Sequence, residues 1–251
     1  MAKVALITGA SRGIGAAIAK RYARAGMQVV IQFLTGDKEA GEIRRGLISE
    51  GCIEPLLMPA DVSRSEDVLQ LVEDTLTQTN RIDVLVNNAG IYRDTPFNTT
   101  SFEHWKAGWE QVLDTNLMSA VHATWAVLPG MREHGGGKVI NIASRSAFRA
   151  ETTAPAYAVS KAGMVNLTRC LARAEAHNNI LAYCIAPGWV ETAMAREAVA
   201  AQEAEILASI PLRRIASVED VAGVALFLAS QDADYLTGIT IPVAGGSWLS
   251  T

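Results

Sequence analysis

The strongest constraint on the fold is a short apolar run near the N-terminus that ends in a glycine-rich turn. Residues 3–8 read K-V-A-L-I-T. Such a nearly continuous apolar run, rich in β-branched residues, is typical of a strand buried on both faces of a parallel sheet. Residues 9–15 then read G-A-S-R-G-I-G, and the alanines and spaced apolar residues of 16–25 predict a helix. The segment therefore predicts a strand, a tight turn and a helix, the first half of a βαβ unit.

The same alternation of short apolar runs and helical patterns continues along the chain. Strands are predicted at residues 3–8, 28–33, 53–58, 82–86, 138–143, 180–185 and 238–243, and helices at 16–25, 37–50, 65–77, 109–132, 157–176 and 218–229. Because parallel strands joined by helices need right-handed crossovers, this order predicts one doubly wound parallel sheet of about seven strands with helices on both faces. No linker or repeat interrupts it, so residues 1–251 are predicted to form a single Rossmann-type α/β domain.

Composition argues against several other classes of protein. Of the 251 residues, 49% are apolar and 19% are charged, and the formal net charge of −4 argues against a nucleic-acid surface. The cysteines, Cys52, Cys170 and Cys184, are odd in number and lack C-x-x-C spacing, and the histidines are scattered, so neither disulfides nor a metal site is predicted. The apolar run at 4–7 is too short for a signal peptide, and no stretch is long enough to span a membrane. We therefore expect a cytoplasmic protein.

Polar residues and glycines follow one predicted strand after another at its carboxyl end. They are Thr8 with the glycine turn, Asp61 and Val62, the N-N-A-G segment at 87–90, Ser144, and Pro187 with Gly188. In open parallel sheets the ligand binds at this edge. The glycines Gly9, Gly13 and Gly15 let backbone approach a pyrophosphate closely, and the helix that follows supplies free N–H donors at its N-terminus. The sequence therefore predicts a dinucleotide site, although a glycine turn alone is also explained by tight local packing.

Tyr157 and Lys161 are the residues that most directly indicate chemistry. Four residues apart on a predicted helix, their side chains lie on one face and one turn apart. A nearby cation favours the phenolate and lowers the pKa of a phenol, which suits general acid–base catalysis. Taken alone, the pair is better explained as a tyrosine and a lysine on a solvated helix face, because such pairs are common by chance.

Taken together, these motifs resemble those of the short-chain dehydrogenase/reductase family over essentially the whole chain. The matching segments are T-G-A-S-R-G-I-G at 8–15, N-N-A-G at 87–90, Asn116, Ser144, Y-x-x-x-K from Tyr157 to Lys161, and P-G-W-V-E-T at 187–192. The resemblance implies hydride transfer between a nicotinamide and a carbonyl or secondary-alcohol carbon. It also implies a catalytic role for each of four residues.

In those implied roles, Tyr157 is the proton donor and Ser144 binds the substrate oxygen. Lys161 lowers the pKa of Tyr157 and holds the nicotinamide ribose, while Asn116 binds a water that links Lys161 to solvent. The alternative for Asn116 is a helix-interior amide satisfied by backbone.

The resemblance also implies which residues bind the cofactor, and charge indicates which cofactor it is. The implied residues are Gly9, Ser11, Arg12, Gly13, Ile14, Gly15, Phe33, Asp61, Val62, Asn88, Ala89, Gly90, Tyr157, Lys161, Pro187, Gly188, Val190 and Thr192. NAD-selective enzymes usually place an acid at the end of the second strand, whereas a 2′-phosphate needs arginine or lysine. Here the strand ends Q-F-L without an acid, and Arg12 lies in the glycine turn. NADP(H) is therefore predicted over NAD(H).

The substrate is less constrained by the sequence. Pocket walls are predicted from residues 145–155 and from a helical lid at 189–210, with Arg145 and Trp189 as candidate substrate contacts. Within the family the pattern is most similar to 3-oxoacyl-(acyl-carrier-protein) reductases of fatty-acid synthesis. That similarity implies an acidic carrier protein, docked by Arg132 and Arg173, and a homotetramer. The alternatives are a dehydrogenase of a sugar, steroid or other secondary alcohol, and a dinucleotide-binding regulatory protein without catalysis.

Overall fold

Seven parallel strands form one sheet in the computed structural model, which describes residues 2–99 and 101–248 except for the side chains of residues 197 and 198. The strands are β1 (Val4–Ile7), β2 (Gln28–Phe33), β3 (Leu56–Pro59), β4 (Val84–Asn87), β5 (Gly137–Ile142), β6 (Ile180–Pro187) and β7 (Thr240–Val243). Their order is β3-β2-β1-β4-β5-β6-β7. The prediction of a doubly wound parallel sheet is confirmed.

Eight α-helices connect or flank the strands within the described residues. They are α1 (Gly13–Arg24), α2 (Asp37–Ser49), α3 (Ser65–Thr79), α4 (Phe102–Leu113), α5 (Ser119–Glu133), α6 (Pro155–Glu175), α7 (Arg196–Ser209) and α8 (Val218–Ala229). No helix among them is long and apolar enough to cross a membrane. Helix α7 lies in the segment predicted as a lid and is kinked at Gln202.

The apolar runs are continuous because helices cover both faces of the sheet. In β1, the side chains of Ala5 and Ile7 lie in a core built with α1, α2 and α8. Val4 and Leu6 point to the opposite face, into a core built with α3 and α5. Since side chains alternate along a strand, a strand buried on both faces has no polar face, which explains the pattern in the sequence.

Several predicted boundaries are wrong by one to three residues, and one is wrong by seven. The third strand begins at Leu56 rather than at residue 53. The long helix predicted from residue 109 begins instead at Phe102, where Ser101 caps it by accepting a hydrogen bond from the backbone N–H of His104 at 3.3 Å. A single π-helical turn, Asp114–Met118, separates α4 from α5. Such π-turns occur frequently at functional sites, and this one contains Asn116.

The strand order reverses at β1, which lies between β2 and β4, and this reversal opens a crevice at the carboxyl ends of the strands. There the turn after β1 packs tightly against the turn after β4. A Cβ atom on Gly9 would lie 2.9 Å from the Cα of Ala89, and one on Gly15 would lie 2.5 Å from both the carbonyl oxygen of Gly9 and the amide Nδ2 of Asn88. Only glycine fits at these two positions without moving backbone.

We expect Gly15→Ala to lower the free energy of unfolding by about 1–3 kcal/mol, because the new methyl group overpacks backbone that has no room to move. Gly46 is a matched control within α2, since a Cβ there has no neighbouring atom within 4 Å. Gly46→Ala should raise the free energy of unfolding by about 0.5–1 kcal/mol, the ordinary effect of removing a helix-interior glycine. Urea unfolding measures both, and equal effects of the two substitutions would contradict the packing argument.

Candidate active site

The side chains of Thr8 and Asn88 fix the two turns that border the crevice. The hydroxyl of Thr8 accepts hydrogen bonds from the backbone N–H groups of Asn88 and Ala89, both at 3.0 Å. In return, the Asn88 amide donates to the carbonyl oxygens of Thr8 at 2.9 Å and Gly9 at 3.1 Å. The glycine turn is therefore shaped by protein contacts alone. Thr8 is not among the residues predicted to bind the cofactor, and its role is to hold those that are.

Gln32, a buried amide near the end of β2, supports the same turn from the other side. Its side-chain oxygen accepts from the backbone N–H of Gly9 at 2.8 Å, and its amide nitrogen donates to the carbonyl oxygen of Ala60 at 2.8 Å. A buried polar group must find such partners to offset its loss of hydration. Gln32 was not predicted as a site residue, although a glutamine inside an apolar strand is itself a signal.

The remainder of the glycine turn reaches the segment after β2. The Ser11 hydroxyl donates to the carbonyl oxygen of Thr35 at 3.1 Å, and the Arg12 guanidinium donates to the Thr35 hydroxyl at 3.1 Å. Arg12 is exposed to solvent, so it presents a positive charge beyond the end of β2. Residues 32–35 contain no acid to oppose it.

Three residues predicted to bind the cofactor, Phe33, Asp61 and Val62, lie at the ends of β2 and β3. Val62 and Phe33 are buried there, 6% and 4% exposed. The carboxylate of Asp61 accepts hydrogen bonds from the backbone N–H of Ser63 at 3.0 Å and from its hydroxyl at 2.7 Å. Asp61 therefore stabilises its own turn. Ile14, at the start of α1, packs against the core.

The loop after β6 closes the opposite side of the crevice. Gly188 donates its backbone N–H to Val243 at 2.9 Å, and Val190 forms an isolated bridge with Ala216. The methyl group of Thr192 lies 3.6 Å from the position that a Cβ on Gly13 would occupy. The loop after Pro187 therefore lies close to the glycine turn.

Lys161 and Asn116 are brought together beside Gly90. A Cβ on Gly90 would lie 3.4 Å from the Nζ of Lys161 and 3.3 Å from the Oδ1 of Asn116. Lys161 donates to the carbonyl oxygen of Ile142 at 2.9 Å, and burial lowers its pKa from 10.5 to about 8. Because burial disfavours the charged form, a lysine here exchanges its proton near neutral pH far more readily than one on the surface.

The predicted lowering of the Tyr157 pKa by Lys161 is not what the structure shows. The Nζ of Lys161 lies 5.8 Å from the centre of the Tyr157 ring and is directed to the Ile142 carbonyl. Burial around the hydroxyl raises the pKa of Tyr157. A hydrogen bond with Ser144 is the largest influence that lowers this pKa, the charges of Tyr92 and Glu151 raise it further, and the charge of Arg145 has the smallest effect and lowers it. Tyr157 is therefore protonated at neutral pH.

Ser144 stands beside Tyr157 in a fixed orientation. Its hydroxyl oxygen accepts a hydrogen bond from the backbone N–H of Ser146 at 3.1 Å, as the cap of a short 3₁₀ turn. This contact leaves its hydroxyl proton free to be donated. The Ser144 hydroxyl is close enough to that of Tyr157 to influence its pKa, so the two hydroxyl groups lie near each other.

The Asn116 side chain is engaged with the chain after β4. Its oxygen accepts from the backbone N–H of Ile91 at 2.7 Å, and its nitrogen donates to the carbonyl oxygen of Ile91 at 2.9 Å and to the Ser160 hydroxyl at 3.2 Å. The amide is thus satisfied largely by backbone, the alternative raised for it above. One lone pair on Oδ1 stays available for the predicted water.

Two aromatic contacts involve residues of this region. The Tyr92 ring packs on the Tyr157 ring with centres 5.1 Å apart, and the Arg145 guanidinium lies 4.7 Å from the centre of the Trp189 ring. Arg145 and Trp189, the two candidate substrate contacts, therefore lie against each other, and their contact with substrate stays a prediction. Tyr92 was missed, although its position two residues after the N-N-A-G segment was a usable signal.

Arg132, one of the two candidates for docking a carrier protein, lies far from the crevice. Arg132 is at the C-terminal end of α5, at the sheet edge opposite the crevice, and pairs with Glu175 through two hydrogen bonds, the longer of 3.0 Å. The structure does not bring it together with the other predicted residues.

We expect the buried Lys161 to make stability depend on pH. Between the folded pKa of about 8 and the unfolded value of 10.5, the unfolded chain binds more protons, so wild-type stability rises with pH in that window. Relative to Lys161→Met, wild type should gain about 3 kcal/mol as pH rises through it. Urea unfolding at several pH values measures this. Lys38→Met changes an exposed lysine, so its difference from wild type in free energy of unfolding should not vary with pH. If the difference for Lys161→Met did not vary with pH either, the burial of Lys161 would be contradicted.

Comparison with known proteins agrees with this geometry. A family profile described as enoyl-(acyl carrier protein) reductase matches residues 9–247. The chain is 40% identical to the 3-oxoacyl-(acyl-carrier-protein) reductase FabG of Pseudomonas aeruginosa, over 99% of this chain and 98% of that one. It is 36% identical to dehydrogenase/reductase SDR family member 4 of Oryctolagus cuniculus, over 98% and 93%.

Among solved structures, the chain is similar to a putative NAD(P)-dependent gluconate 5-dehydrogenase from Beutenbergia cavernae with bound NADP. The TM-score is 0.90 at 38% identity, covering 98% of this chain and 96% of that one. Fold, site geometry and sequence thus agree over nearly the full length, and the chain belongs to the short-chain dehydrogenase/reductase family.

Proposed function

We propose that this enzyme is an NADPH-dependent reductase of 3-oxoacyl thioesters, with an acyl-carrier-bound thioester as its physiological substrate. It is an oxidoreductase that acts on CH–OH or C=O groups with a nicotinamide cofactor. The observation that carries the proposal is the convergence of the Ser144 and Tyr157 hydroxyl groups at one end of a crevice whose other end is the glycine turn. The full-length similarity to a 3-oxoacyl-(acyl-carrier-protein) reductase supports the substrate class.

The residues of the crevice fit a dinucleotide. Gly9 and Gly15 leave the backbone bare where any side chain would collide, and the N-terminus of α1 follows directly. When bound, the nicotinamide supplies the hydride. Phe33, Asp61 and Val62 are assigned to the adenine end of the site.

The other assigned cofactor contacts lie along the crevice. They are Ser11, Arg12, Gly13, Ile14, Asn88, Ala89, Gly90, Pro187, Gly188, Val190 and Thr192.

Tyr157 and Ser144 then act on the substrate oxygen. Ser144 donates its hydroxyl proton in a hydrogen bond to that oxygen, and Tyr157, protonated at neutral pH, transfers a proton to it as negative charge develops. Lys161 is assigned to the nicotinamide ribose and to returning a proton to Tyr157. Its pKa of about 8 lets it accept and release protons near neutral pH. Asn116 is assigned to the water that connects Lys161 with solvent.

Arg12 supports the preference for NADPH. Its guanidinium is exposed beyond the end of β2 and held by the Thr35 hydroxyl. A phosphate on the adenosine ribose would meet this charge, whereas a free 2′-hydroxyl would find no carboxylate to accept from it.

A second candidate is a dehydrogenase of another secondary alcohol, such as a sugar acid, because the similar Beutenbergia cavernae structure carries a gluconate 5-dehydrogenase description. The fold and catalytic residues are shared, so the pocket decides between the two. A non-catalytic binder is disfavoured, since it has no need of Ser144, Tyr157 and Lys161 together.

Partner and assembly assignments remain predictions. Because Arg132 already forms an ion pair with Glu175, Arg173 is the better candidate for docking an acidic carrier protein. The predicted homotetramer would pair the long helices, on which Met164 and Leu171 are buried within the subunit while Leu117 and Leu167 are only partly buried. The cytoplasmic location is likewise a prediction.

Tyr157→Phe should lower kcat for acetoacetyl thioester reduction by about 10²–10⁴-fold, the usual contribution of a general acid, while NADPH binding measured by fluorescence stays intact. Tyr92→Phe is the matched control, because its ring packs on Tyr157 and its hydroxyl lies 3.4 Å from that of Thr153. The control should retain kcat within about threefold. Unchanged turnover in Tyr157→Phe would overturn the assignment of the proton donor.

Arg12→Gln should lower kcat/KM for NADPH by about 10–100-fold, the value of a charge-assisted hydrogen bond, and leave kcat/KM for NADH nearly unchanged. Steady-state rates with both cofactors and one substrate measure this. A higher kcat/KM for NADH than for NADPH in the wild-type enzyme would refute the preference.

A further inference from the structure

Arg145, a charged residue predicted to contact the substrate, has no counter-ion among the described residues. Its side chain is half-buried, and its guanidinium stacks on the Trp189 ring at 4.7 Å. Within the part of the chain that the structure describes, this guanidinium makes neither a hydrogen bond nor an ion pair. Half-buried charges are normally paired, because desolvation must be offset.

The nearest acid does not supply the missing partner. The Glu151 carboxylate accepts a hydrogen bond from the Ser146 hydroxyl at 2.8 Å and pairs with Arg149 at 3.5 Å. Arg149 is thus paired on the same loop, whereas the five N–H donors of Arg145 have no acceptor among the described residues. The stacking holds the planar group in one orientation, which reduces the entropy lost when a ligand binds.

The position of Arg145 relates it to the reacting carbonyl. It directly follows Ser144 in the chain, and its charge acts on the Tyr157 hydroxyl. Arg145 is the first residue of the 3₁₀ turn that Ser144 caps, so it lies next to the position proposed for the substrate oxygen. The group that Arg145 would bind belongs to the same small molecule, a few bonds from the ketone.

We propose that Arg145 binds a carboxylate of the substrate, so that the enzyme also reduces free oxo acids to hydroxy acids. A carboxylate fits because it is planar, carries the opposite charge and accepts two parallel hydrogen bonds from a guanidinium. In the reaction, hydride adds to the ketone carbon, the Tyr157 proton adds to its oxygen, and NADPH is oxidised to NADP⁺. The carboxylate is unchanged. The proposal rests on the assignment of Ser144 and Tyr157 above and extends the substrate class beyond thioesters.

The test compares acetoacetate with its methyl ester, which has the same ketone but no negative charge. Wild-type enzyme should reduce acetoacetate with the higher kcat/KM. Arg145→Gln should lower kcat/KM for acetoacetate by about 10–100-fold, the range for a hydrogen bond to a charged group, and that for methyl acetoacetate by less than about threefold. Arg149→Gln is the matched control on the same loop and should preserve the acid-to-ester ratio.

Three outcomes would overturn the proposal. The first is a wild-type enzyme that reduces methyl acetoacetate but not acetoacetate, and the second is an Arg145→Gln variant with an unchanged acid-to-ester ratio of kcat/KM. The third is an Arg145→Gln variant whose KM for NADPH rises equally with both substrates, because the arginine would then act on the cofactor. Thermal unfolding of each variant excludes loss of fold as the cause. Acetoacetyl thioester is assayed in parallel. If acetoacetate is reduced and the thioester is not, the proposed physiological substrate is contradicted, but the role of Arg145 is unaffected.

Discussion

The close contact between the turn after β1 and the turn after β4 is the constraint on which the site depends. Gly9 and Gly15 allow the two turns to touch through backbone, and Thr8 and Asn88 lock them with reciprocal hydrogen bonds. A side chain at either glycine would separate the strand ends that form the crevice. At these two glycines the backbone carries no side chain, as the proposed dinucleotide site requires. The buried sheet holds that backbone in place.

The side chains that we propose to carry out the chemistry are held by backbone in a similar way. Lys161 is anchored to the Ile142 carbonyl, Asn116 to both backbone groups of Ile91, and Ser144 to the Ser146 N–H. Positions fixed in this manner need little reorganisation during reaction, which is the main requirement of electrostatic catalysis. The cost is a lysine buried as a cation, a destabilised group of the kind often found at active sites.

The sequence predicted the sheet and the residues at its carboxyl edge, because burial on both faces leaves a pattern that is local to each strand. It missed the start of α4, where the Ser101 cap is a weak signal, and the π-turn around Asn116. It also missed Gln32 and Tyr92, whose roles come from contacts with residues far away in the chain. For the same reason it assigned to Lys161 an effect on the Tyr157 pKa that depends on where the lysine amino group points. Spacing along a helix specifies a face but not a hydrogen-bond partner.

Hydride transfer to a carbonyl beside Tyr157 is the central claim, and isotope transfer tests it most directly. NADPH carrying deuterium at the transferable position of the nicotinamide is mixed with acetoacetyl thioester and enzyme, and the product is examined by mass spectrometry. The account predicts one deuterium at the carbinol carbon, delivered from only one of the two epimers of labelled NADPH. Product without deuterium from either epimer, or label lost to solvent, would contradict it.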